Sequence, residues 1–235
     1  MTKVKNIYDS YWQNRLTSVN ADFIDDQSPN EIFETIAPLM GTGRRLLDVG
    51  CGEGRITEIA RTKFDEIYGC DISKTALLTA KERGISTVCV DLNDGFVPYK
   101  DNSFDCITAL EVVEHLINPL RFFNDLRRVL KPKGQLLLTT PNIRYFRNLY
   151  RLIFNGTFPH TTTDNFVWGG GHIHYFTQKD IIFLLHQAGL RQASVHINKD
   201  QFSRSWKRRI IHMFVGTARF SEFFCGGMTV EVIKE

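Results

Sequence analysis

The sequence has no long hydrophobic run, no internal repeat and little net charge. Its apolar runs are shorter than the roughly 20 residues that a membrane-spanning helix needs, and residues 1–5 lack the hydrophobic core of a signal peptide. The net charge of +3 is too small to indicate nucleic acid by itself, although it does not exclude it. The length of 235 residues therefore predicts a single α/β domain, residues 1–235, with no export leader.

Cysteine is scarce and is not arranged for metal binding or redox chemistry. The five cysteines include no C-x-x-C pair; they lie at positions 51, 70, 89, 106 and 225. Scattered cysteines in apolar, strand-like runs are typical of small buried side chains in a reducing compartment. We therefore expect five free, buried thiols and a cytoplasmic location.

The most informative stretch is residues 45–55, in which an apolar run ends in Asp48 and is followed by glycines at 50, 52 and 54. The run predicts a buried parallel strand, and the apolar residues after the glycines recur at helical spacing. Glycines in such a turn let a ligand lie against the backbone, where the amides of the next helix point at it. Dinucleotide-binding enzymes use G-x-G-x-x-G, whereas the spacing here is G-x-G-x-G.

Four further strands follow in the order that a doubly wound sheet requires. The second, residues 66–72, carries Asp71 near its end, 17 residues beyond Gly54, where a carboxylate accepts ribose hydroxyls in either cofactor class. The third, residues 86–90, is followed by Asp91. The fourth, residues 104–110, precedes a predicted helix that ends near Leu130, and a fifth strand covers residues 135–140.

Three features carry a resemblance to a known family: the pattern D-x-G-x-G-x-G from Asp48, the acidic strand ends, and the pattern L-x-x-x-L-K-P-x-G over 126–134. In these features the sequence resembles the class I S-adenosylmethionine-dependent methyltransferases, of type 11/23. The resemblance covers roughly residues 40 to 190. It implies a Rossmann-like α/β fold: a doubly wound seven-stranded sheet with helices on both faces and a terminal antiparallel strand, residues 228–233. There are two alternatives. One is an NAD-type dinucleotide-binding protein, and the other is a non-catalytic protein of methyltransferase fold that binds another protein.

The resemblance also implies S-adenosyl-L-methionine as cofactor and assigns its contacts. Asp48 serves the amino-acid end, Asp71 the ribose, Asp91 the adenine amino group, and Leu92 lies beside the ring. The full implied cofactor-binding set is Asp48, Gly50, Cys51, Gly52, Gly54, Asp71, Ile72, Asp91, Leu92 and Leu110.

A second motif, E-x-x-E-H, follows the fourth strand. On a helical turn, Glu111, Glu114 and His115 would share one face and converge on a divalent metal ion, with His172 as a further ligand. The motif resembles that of ubiquinone-biosynthesis and small-RNA 3′-end O-methyltransferases, where a metal binds the hydroxyl to be methylated. O-methylation of a small-molecule hydroxyl is therefore predicted, with His115, His172 or His174 as base or ligand. The alternative is that Glu111 lines the cofactor pocket while the other two begin an exposed helix.

The remaining segments predict covers for the site. Aromatic residues Tyr8, Tyr11 and Trp12 make residues 1–40 a candidate helical lid, or else helices packed on the sheet. Residues 41–140 form the cofactor-binding half and 177–235 the C-terminal half. Between them, residues 141–176 are basic and aromatic, resemble the corresponding part of MetW-like proteins, and predict a substrate lid or else a surface excursion.

Residues 201–226 are also basic and aromatic, with one acid, Glu222, against five bases. Such a segment is suited to an anionic membrane, to an acidic substrate, or to docking on the sheet or on a second subunit as a homodimer. The location prediction is therefore cytoplasmic with membrane association as an option.

Overall fold

A computed structural model of the chain describes residues 2–17, 29–94, 96–159, 171–196, 222–223 and 225–235. The predicted hydrophobic runs form a seven-stranded sheet within these residues. Its strands are β1 (Gly43–Val49), β2 (Phe64–Asp71), β3 (Ser86–Cys89), β4 (Phe104–Leu110), β5 (Leu130–Pro141), β6 (Gln192–His196) and β7 (Gly227–Ile233). Their order is β3-β2-β1-β4-β5-β7-β6. Strands β1 to β5 are parallel, and β7 is antiparallel to both neighbours, which confirms the predicted fold class.

Helices lie before, between and after the parallel strands in the described residues. They are α1 (Thr2–Thr17), α2 (Pro29–Leu39), α3 (Thr57–Ala60), α4 (Lys74–Glu82), α5 (Pro119–Val129), α6 (Phe146–Phe154) and α7 (Gln178–Gln187). A 3-10 helix, Val113–His115, follows β4. Two of the caps are visible in the sequence: Ser73 accepts from Ala76 N at the start of α4, and Thr177 and Asp180 form a capping box on α7.

The core lies on both faces of the sheet because successive side chains of a strand point to opposite faces. Leu46 and Leu47 of β1 are both fully buried, and they belong to different apolar layers. The layer of Leu47 includes residues of α5 and α7, whereas that of Leu46 includes residues of α2 and α4. A strand buried on both faces reads as a continuous apolar run, which is why β1 was recognisable.

At two places the elements differ clearly from the sequence-based prediction. The helix after the glycines is a single turn, α3, because the glycine loop continues to Ile56. Strand β5 begins at Leu130, five residues earlier than predicted. Leu130 pairs with Phe104, and the register then shifts so that Gln135 pairs with Cys106. The K-P-K-G stretch is therefore an irregularity inside the strand and not the turn before it.

The cysteine prediction holds for four residues and is wrong for one. All five thiols are free, and those of Cys51, Cys70, Cys106 and Cys225 are buried. Cys89 is exposed because it ends β3, the edge strand of the sheet. Among the helices that the structure describes, none has the length and hydrophobicity to cross a bilayer.

Most of the basic aromatic segment, residues 201–226, lies outside the described residues. Its end packs against the insertion that follows β5. Asn142 Nδ2 donates to the carbonyl of Glu222 and, at 3.0 Å, to that of Cys225, and Arg144 forms an ion pair with the Glu222 carboxylate. The Arg144 guanidinium also lies 4.5 Å from the ring centre of Phe223. The membrane, acidic-substrate and homodimer predictions for the rest of the segment stay predictions.

Candidate active site

The site forms at the edge of the sheet where the parallel strands end. There β1 leads into the glycine loop, β2 ends in Asp71, and β4 leads into the E-x-x-E-H motif. Carboxyl ends of parallel strands meet at one edge, which is where doubly wound folds bind ligands. The sequence-predicted cofactor and metal residues therefore share one region, as the motif order indicated.

Asp71 holds the glycine loop in place. Its Oδ2 accepts a hydrogen bond from Gly52 N at 2.9 Å, and its Oδ1 accepts one from Ser73 N at 2.8 Å. Burial raises the pKa of Asp71, and these backbone hydrogen bonds act in the opposite direction. Each carboxylate oxygen has a second lone pair, so the side chain can brace the loop and still accept from ribose hydroxyls.

Asp48 lies beneath the loop in the interior of the sheet. It pairs in register with Thr108 of β4, whose Oγ1 donates to Asp48 Oδ1 at 2.7 Å. Only 4% of Asp48 is exposed. Burial raises the pKa of Asp48 to about 7; the Thr108 hydrogen bond lowers it, and the nearby Asp71 charge adds to the rise. A cationic group of a ligand would therefore find a carboxyl that titrates near neutrality.

The other implied cofactor contacts lie along the same edge. Cys51 is buried, with its N–H donating to Cys70 O at 3.1 Å, so its backbone helps to fix the loop against β2. Asp91 is half-buried, and its Oδ1 accepts from Asn93 N at 2.9 Å. The remaining three residues are partly exposed: Ile72 directly follows β2, Leu110 ends β4, and Leu92 lies three residues beyond β3.

Gly52 and Gly54 adopt positive φ angles of 51° and 76°, which favour glycine. At Gly52, a Cβ would lie 2.7 Å from Cζ2 of Trp12, so the indole of α1 rests directly on the loop. At Gly54, a Cβ would meet the side chain of Ile85 and lie 3.2 Å from Cα of Ala80, so this glycine allows close packing of the loop on the helix. The glycines at 52 and 54 are thus explained by two different close approaches.

Helix α1 is fixed over the loop by a residue that sequence reasoning missed. Asp9 Oδ1 accepts from Ser73 Oγ at 2.8 Å and from Thr75 N at 3.3 Å, at the N-terminus of α4. The sequence held no signal for this contact, because an acid within a helix is ordinary until its partner is known. Burial raises the pKa of Tyr8, on the same helix, to about 12, with further contributions from the charges of Asp71, Glu114 and Asp91. Tyr8 also lies edge-on to His115 of the second motif, with the two ring centres 6.5 Å apart.

The second motif builds a compact group of metal-ligating atoms. Within the described residues, Glu114, His115 and His172 each offer one ligand atom, and these atoms lie within 4.8 Å of one another. Glu114 Oε1 is 4.0 Å from His115 Nε2 and 3.9 Å from His172 Nε2. Glu114 Oε2 accepts from Thr140 Oγ1 at 3.0 Å, whereas Oε1 is buried and has no hydrogen-bond donor among the described residues.

The electrostatics of this group suit a cation. Burial raises the pKa of Glu114 well above its usual value, and the neighbouring Glu111 carboxylate adds to the rise. Burial lowers the pKa of His172 to about 3, helped by His115, and burial also lowers the pKa of His115. Both imidazoles are therefore neutral near pH 7, which is the form that binds metal. A cation bound between the Glu114 carboxyl and the two neutral imidazoles would supply the positive charge that stabilises the ionised carboxylate in this buried position.

The protein also orients the donor atoms. His115 Nδ1 lies 3.2 Å from the carbonyl of Gly171, which accepts only if Nδ1 carries the proton. That tautomer leaves a lone pair on Nε2, the atom nearest Glu114. The loop that carries His172 is tied down as well, because Ile173 N and His174 N both donate to the carbonyl of Glu114, at 2.9 and 3.0 Å.

Glu111 and His174 do not join the three ligand atoms. Glu111 has a φ of 53° and precedes the 3-10 helix, so its backbone does not form a helical turn with Glu114 and His115. Its carboxyl still neighbours that of Glu114, and its role as a metal ligand stays a prediction. The exposed helix start of the alternative interpretation is also wrong for Glu114, which is 1% exposed. His174 stacks on Phe176 with ring centres 5.6 Å apart, and its Nε2 is buried without a hydrogen-bond partner among the described residues.

Comparisons with known proteins point to one family. A methyltransferase domain family model matches residues 19–195. A probable S-adenosylmethionine-dependent methyltransferase of Mycobacterium tuberculosis is 30% identical over 111 residues, covering 47% of this chain and 40% of that protein. A ubiquinone biosynthesis O-methyltransferase of Cereibacter sphaeroides is 32% identical over 126 residues, covering 52% of this chain and 51% of that protein. The chain thus spans about half or less of the length of these relatives.

A solved structure has a similar fold. The crystal structure of a methyltransferase of Thermotoga maritima, described as a possible histamine N-methyltransferase, has a TM-score of 0.65 and covers 98% of both chains at 16% identity. These comparisons favour the methyltransferase interpretation over the dinucleotide-binding alternative. The family model covers most of the chain, and the glycine loop, the acidic strand ends and the sheet order of the chain agree with that family. The chain therefore belongs to the class I S-adenosylmethionine-dependent methyltransferases.

Proposed function

We propose that this protein transfers the methyl group of S-adenosylmethionine to a hydroxyl of a small molecule, with a divalent cation held by Glu114, His115 and His172. The observation that carries the proposal is the buried Glu114 Oε1, which has two neutral imidazole nitrogens about 4 Å away and no donor among the described residues. Ligand atoms within 4.8 Å of one another are close enough for small side-chain movements to bring all three to one ion, at bonds of about 2.0 to 2.4 Å.

The donor side of the reaction would use the glycine loop and the acids around it. Asp48 would hold the amino-acid end of the cofactor, and Asp71 would accept from its ribose while bracing Gly52. Methyl transfer from a sulfonium is an in-line displacement, so the main task of these residues is to fix the donor and exclude water. Asp91 and Leu92 would contact the adenine.

The acceptor side explains why we favour a hydroxyl. An alcohol must lose its proton as it attacks, and a bound divalent cation lowers the pKa of an oxygen ligand. Two imidazoles and one carboxylate favour Mn²⁺, Co²⁺ or Zn²⁺ over Mg²⁺, which prefers oxygen ligands. His174, outside the group, has a buried Nε2 that would accept the released proton.

We also propose that α1 and the insertion 141–176 cover the site as lids. Trp12 rests on Gly52, and Asp9 fixes α1 to the start of α4, so the helix would bury the cofactor once it is bound. On the other side, the loop with His172 is tied to the Glu114 carbonyl and would screen the acceptor from water. The described part of the predicted lid 1–40, residues 2–17 and 29–40, supports this role for α1.

The test is methyl transfer from labelled S-adenosylmethionine to pooled metabolites, with and without chelator. We expect labelled products in which the methyl is attached to oxygen. Chelation should abolish transfer, leave S-adenosylhomocysteine binding nearly intact, and be reversed by Mn²⁺ or Zn²⁺. Calorimetry with Mn²⁺ or Zn²⁺ should detect one site on the intact chain.

The matched variants are His172→Ala and His186→Ala, since His186 is exposed on α7. His172→Ala should remove metal binding and transfer, and His186→Ala should change neither. Full transfer in excess chelator would refute the metal and leave His174 as a metal-free base. Cofactor binding with no transfer to any pool would instead favour the non-catalytic alternative.

A further inference from the structure

Helix α6 presents an apolar face to solvent. Ile153 is 68% exposed, Phe154 72% and Tyr150 56%, and Phe146 is also exposed. These residues follow the spacing i, i+4, i+7 and i+8, which places them on one side of a helix. The opposite side carries Asn148, which is buried and whose Nδ2 donates to the carbonyl of Asn142 at 3.1 Å. The helix is therefore anchored by its polar side and turned so that its apolar side faces outward.

The exposed surface continues past the end of the helix. Every residue from Arg151 to Phe158 is exposed, and the segment includes the exposed aromatic ring of Phe158, 46% of which is accessible. Four of these eight residues are large and apolar: Leu152, Ile153, Phe154 and Phe158. An apolar patch of this kind on a helix tip marks an interaction surface.

The charge of the insertion around this exposed surface indicates the kind of partner. Residues 141–163 contain three arginines and no acidic residue. Arg144 pairs with Glu222. Arg147 and Arg151 are both exposed and lie one turn apart along the margin of the apolar face. Apolar and aromatic side chains flanked by arginines are typical of helices that lie in the headgroup region of anionic membranes.

The position of the helix connects this surface to the site. The insertion begins where β5 ends, and its two ends are joined because Ile143 N donates to Phe176 O at 3.1 Å. His172 and His174 lie on the returning segment, just before that junction. Helix α6 therefore projects from the same loop system that would cover the acceptor.

We propose that the face formed by Phe146, Tyr150, Ile153 and Phe154 docks on an anionic phospholipid bilayer, with Arg147 and Arg151 at the headgroups. This surface is separate from the segment 201–226, and the proposal does not depend on the reaction catalysed. The helix would insert its apolar side chains to the level of the acyl boundary. The site would then open toward the lipid surface.

The test is sedimentation of the full chain with phosphatidylcholine vesicles containing about 30% phosphatidylglycerol, compared with phosphatidylcholine alone. We expect binding to the anionic vesicles, released as salt rises from about 0.05 to 0.5 M. The double variant Ile153→Asp/Phe154→Asp should lower the partition coefficient at least about tenfold. The matched control is Leu78→Asp/Phe183→Asp, at apolar side chains 65% and 61% exposed on α4 and α7, which should bind within about twofold of the unmodified chain.

Binding of S-adenosylhomocysteine by all variants would show that they are folded, because the exposed positions lie outside the cofactor site. The proposal is overturned if the unmodified chain ignores anionic vesicles, or if the α6 variant binds them as well as the control does. It is also overturned if the chain is a dimer that the α6 substitutions dissociate without any lipid binding, since a second copy would then be the occupant.

Discussion

Replacement of Asp48 by Asn should remove a specific part of the pH dependence of stability. The carboxyl is buried in the sheet with the Thr108 hydroxyl as its donor, and burial raises its pKa from 3.8 to about 7. In the unfolded chain the carboxyl would titrate near its ordinary value. Between about pH 4 and 7, the folded protein therefore binds a proton at Asp48 that the unfolded chain has released.

The sign follows from that difference. Because folding takes up a proton in this window, the free energy of unfolding falls as pH rises and levels off above the folded pKa of about 7. Each pH unit is worth about 1.4 kcal/mol, so the full effect approaches roughly 4 kcal/mol. Between pH 5 and 8, deprotonation of Asp48 should lower the free energy of unfolding by roughly 2 to 3 kcal/mol.

The assay is urea unfolding at several pH values in the absence of cofactor, with the m-value checked for constancy. Other groups contribute to the pH profile, so the quantity of interest is the difference between the unmodified chain and Asp48→Asn. The control is Thr108→Val, which removes the donor that lowers the Asp48 pKa and should extend the loss of stability to higher pH. Parallel pH profiles for the unmodified chain and Asp48→Asn would refute the reasoning.

The same titration should appear in cofactor binding. If Asp48 holds the cationic amino-acid end of the cofactor, binding favours its charged form and loses up to about tenfold in affinity per pH unit below pH 7. Asp48→Asn should flatten this profile. A pH-independent affinity of the unmodified chain for S-adenosylhomocysteine would place the cofactor's charged end elsewhere.

Three further predictions concern single contacts. Trp12→Ala should speed the dissociation of S-adenosylhomocysteine about tenfold in stopped-flow measurements, because the indole covers Gly52. The control is Ile7→Ala, on the exposed side of α1, which should leave the dissociation rate unchanged. Equal dissociation rates for the two variants would contradict the lid role of α1. Asp71→Ala should weaken that ligand by about 1.5 to 3 kcal/mol in calorimetry, through loss of ribose hydrogen bonds, and unchanged affinity would contradict the assignment. Arg128→Ala should lower the free energy of unfolding by about 2 kcal/mol in urea, because the guanidinium pairs with the buried Asp125 carboxylate at 2.7 Å. A decrease below about 0.5 kcal/mol would show that the ion pair contributes no more than a surface contact.

The sequence by itself determined the sheet and the cofactor edge. Strands buried on both faces appear as apolar runs, and the residues that end them are fixed by the chain, so Asp48, Asp71 and Asp91 could be assigned to one edge before any coordinates. Glycine spacing separated this loop from the dinucleotide pattern. These features are local, or follow from the regular order of a doubly wound fold.

The tertiary structure decided the second motif. Spacing alone placed Glu111, Glu114 and His115 on one helical face, but the positive φ at Glu111 breaks that helical turn. The three ligand atoms within 4.8 Å of one another belong to Glu114, His115 and the distant His172. His172 joins them from 57 residues further along, and its place depends on backbone hydrogen bonds to the Glu114 carbonyl. A periodic pattern cannot reveal a turn that is set by such distant contacts.

Solvent exposure was likewise beyond the sequence. The apolar residues of α6 have the spacing of a helix packed on a core, and only the packing shows that Asn148 faces inward and Phe154 outward. Asp9 of α1 similarly acquires its role from Ser73, which is 64 positions away. Hydrophobic periodicity fixes which residues share a face, whereas the direction in which that face points depends on the rest of the fold.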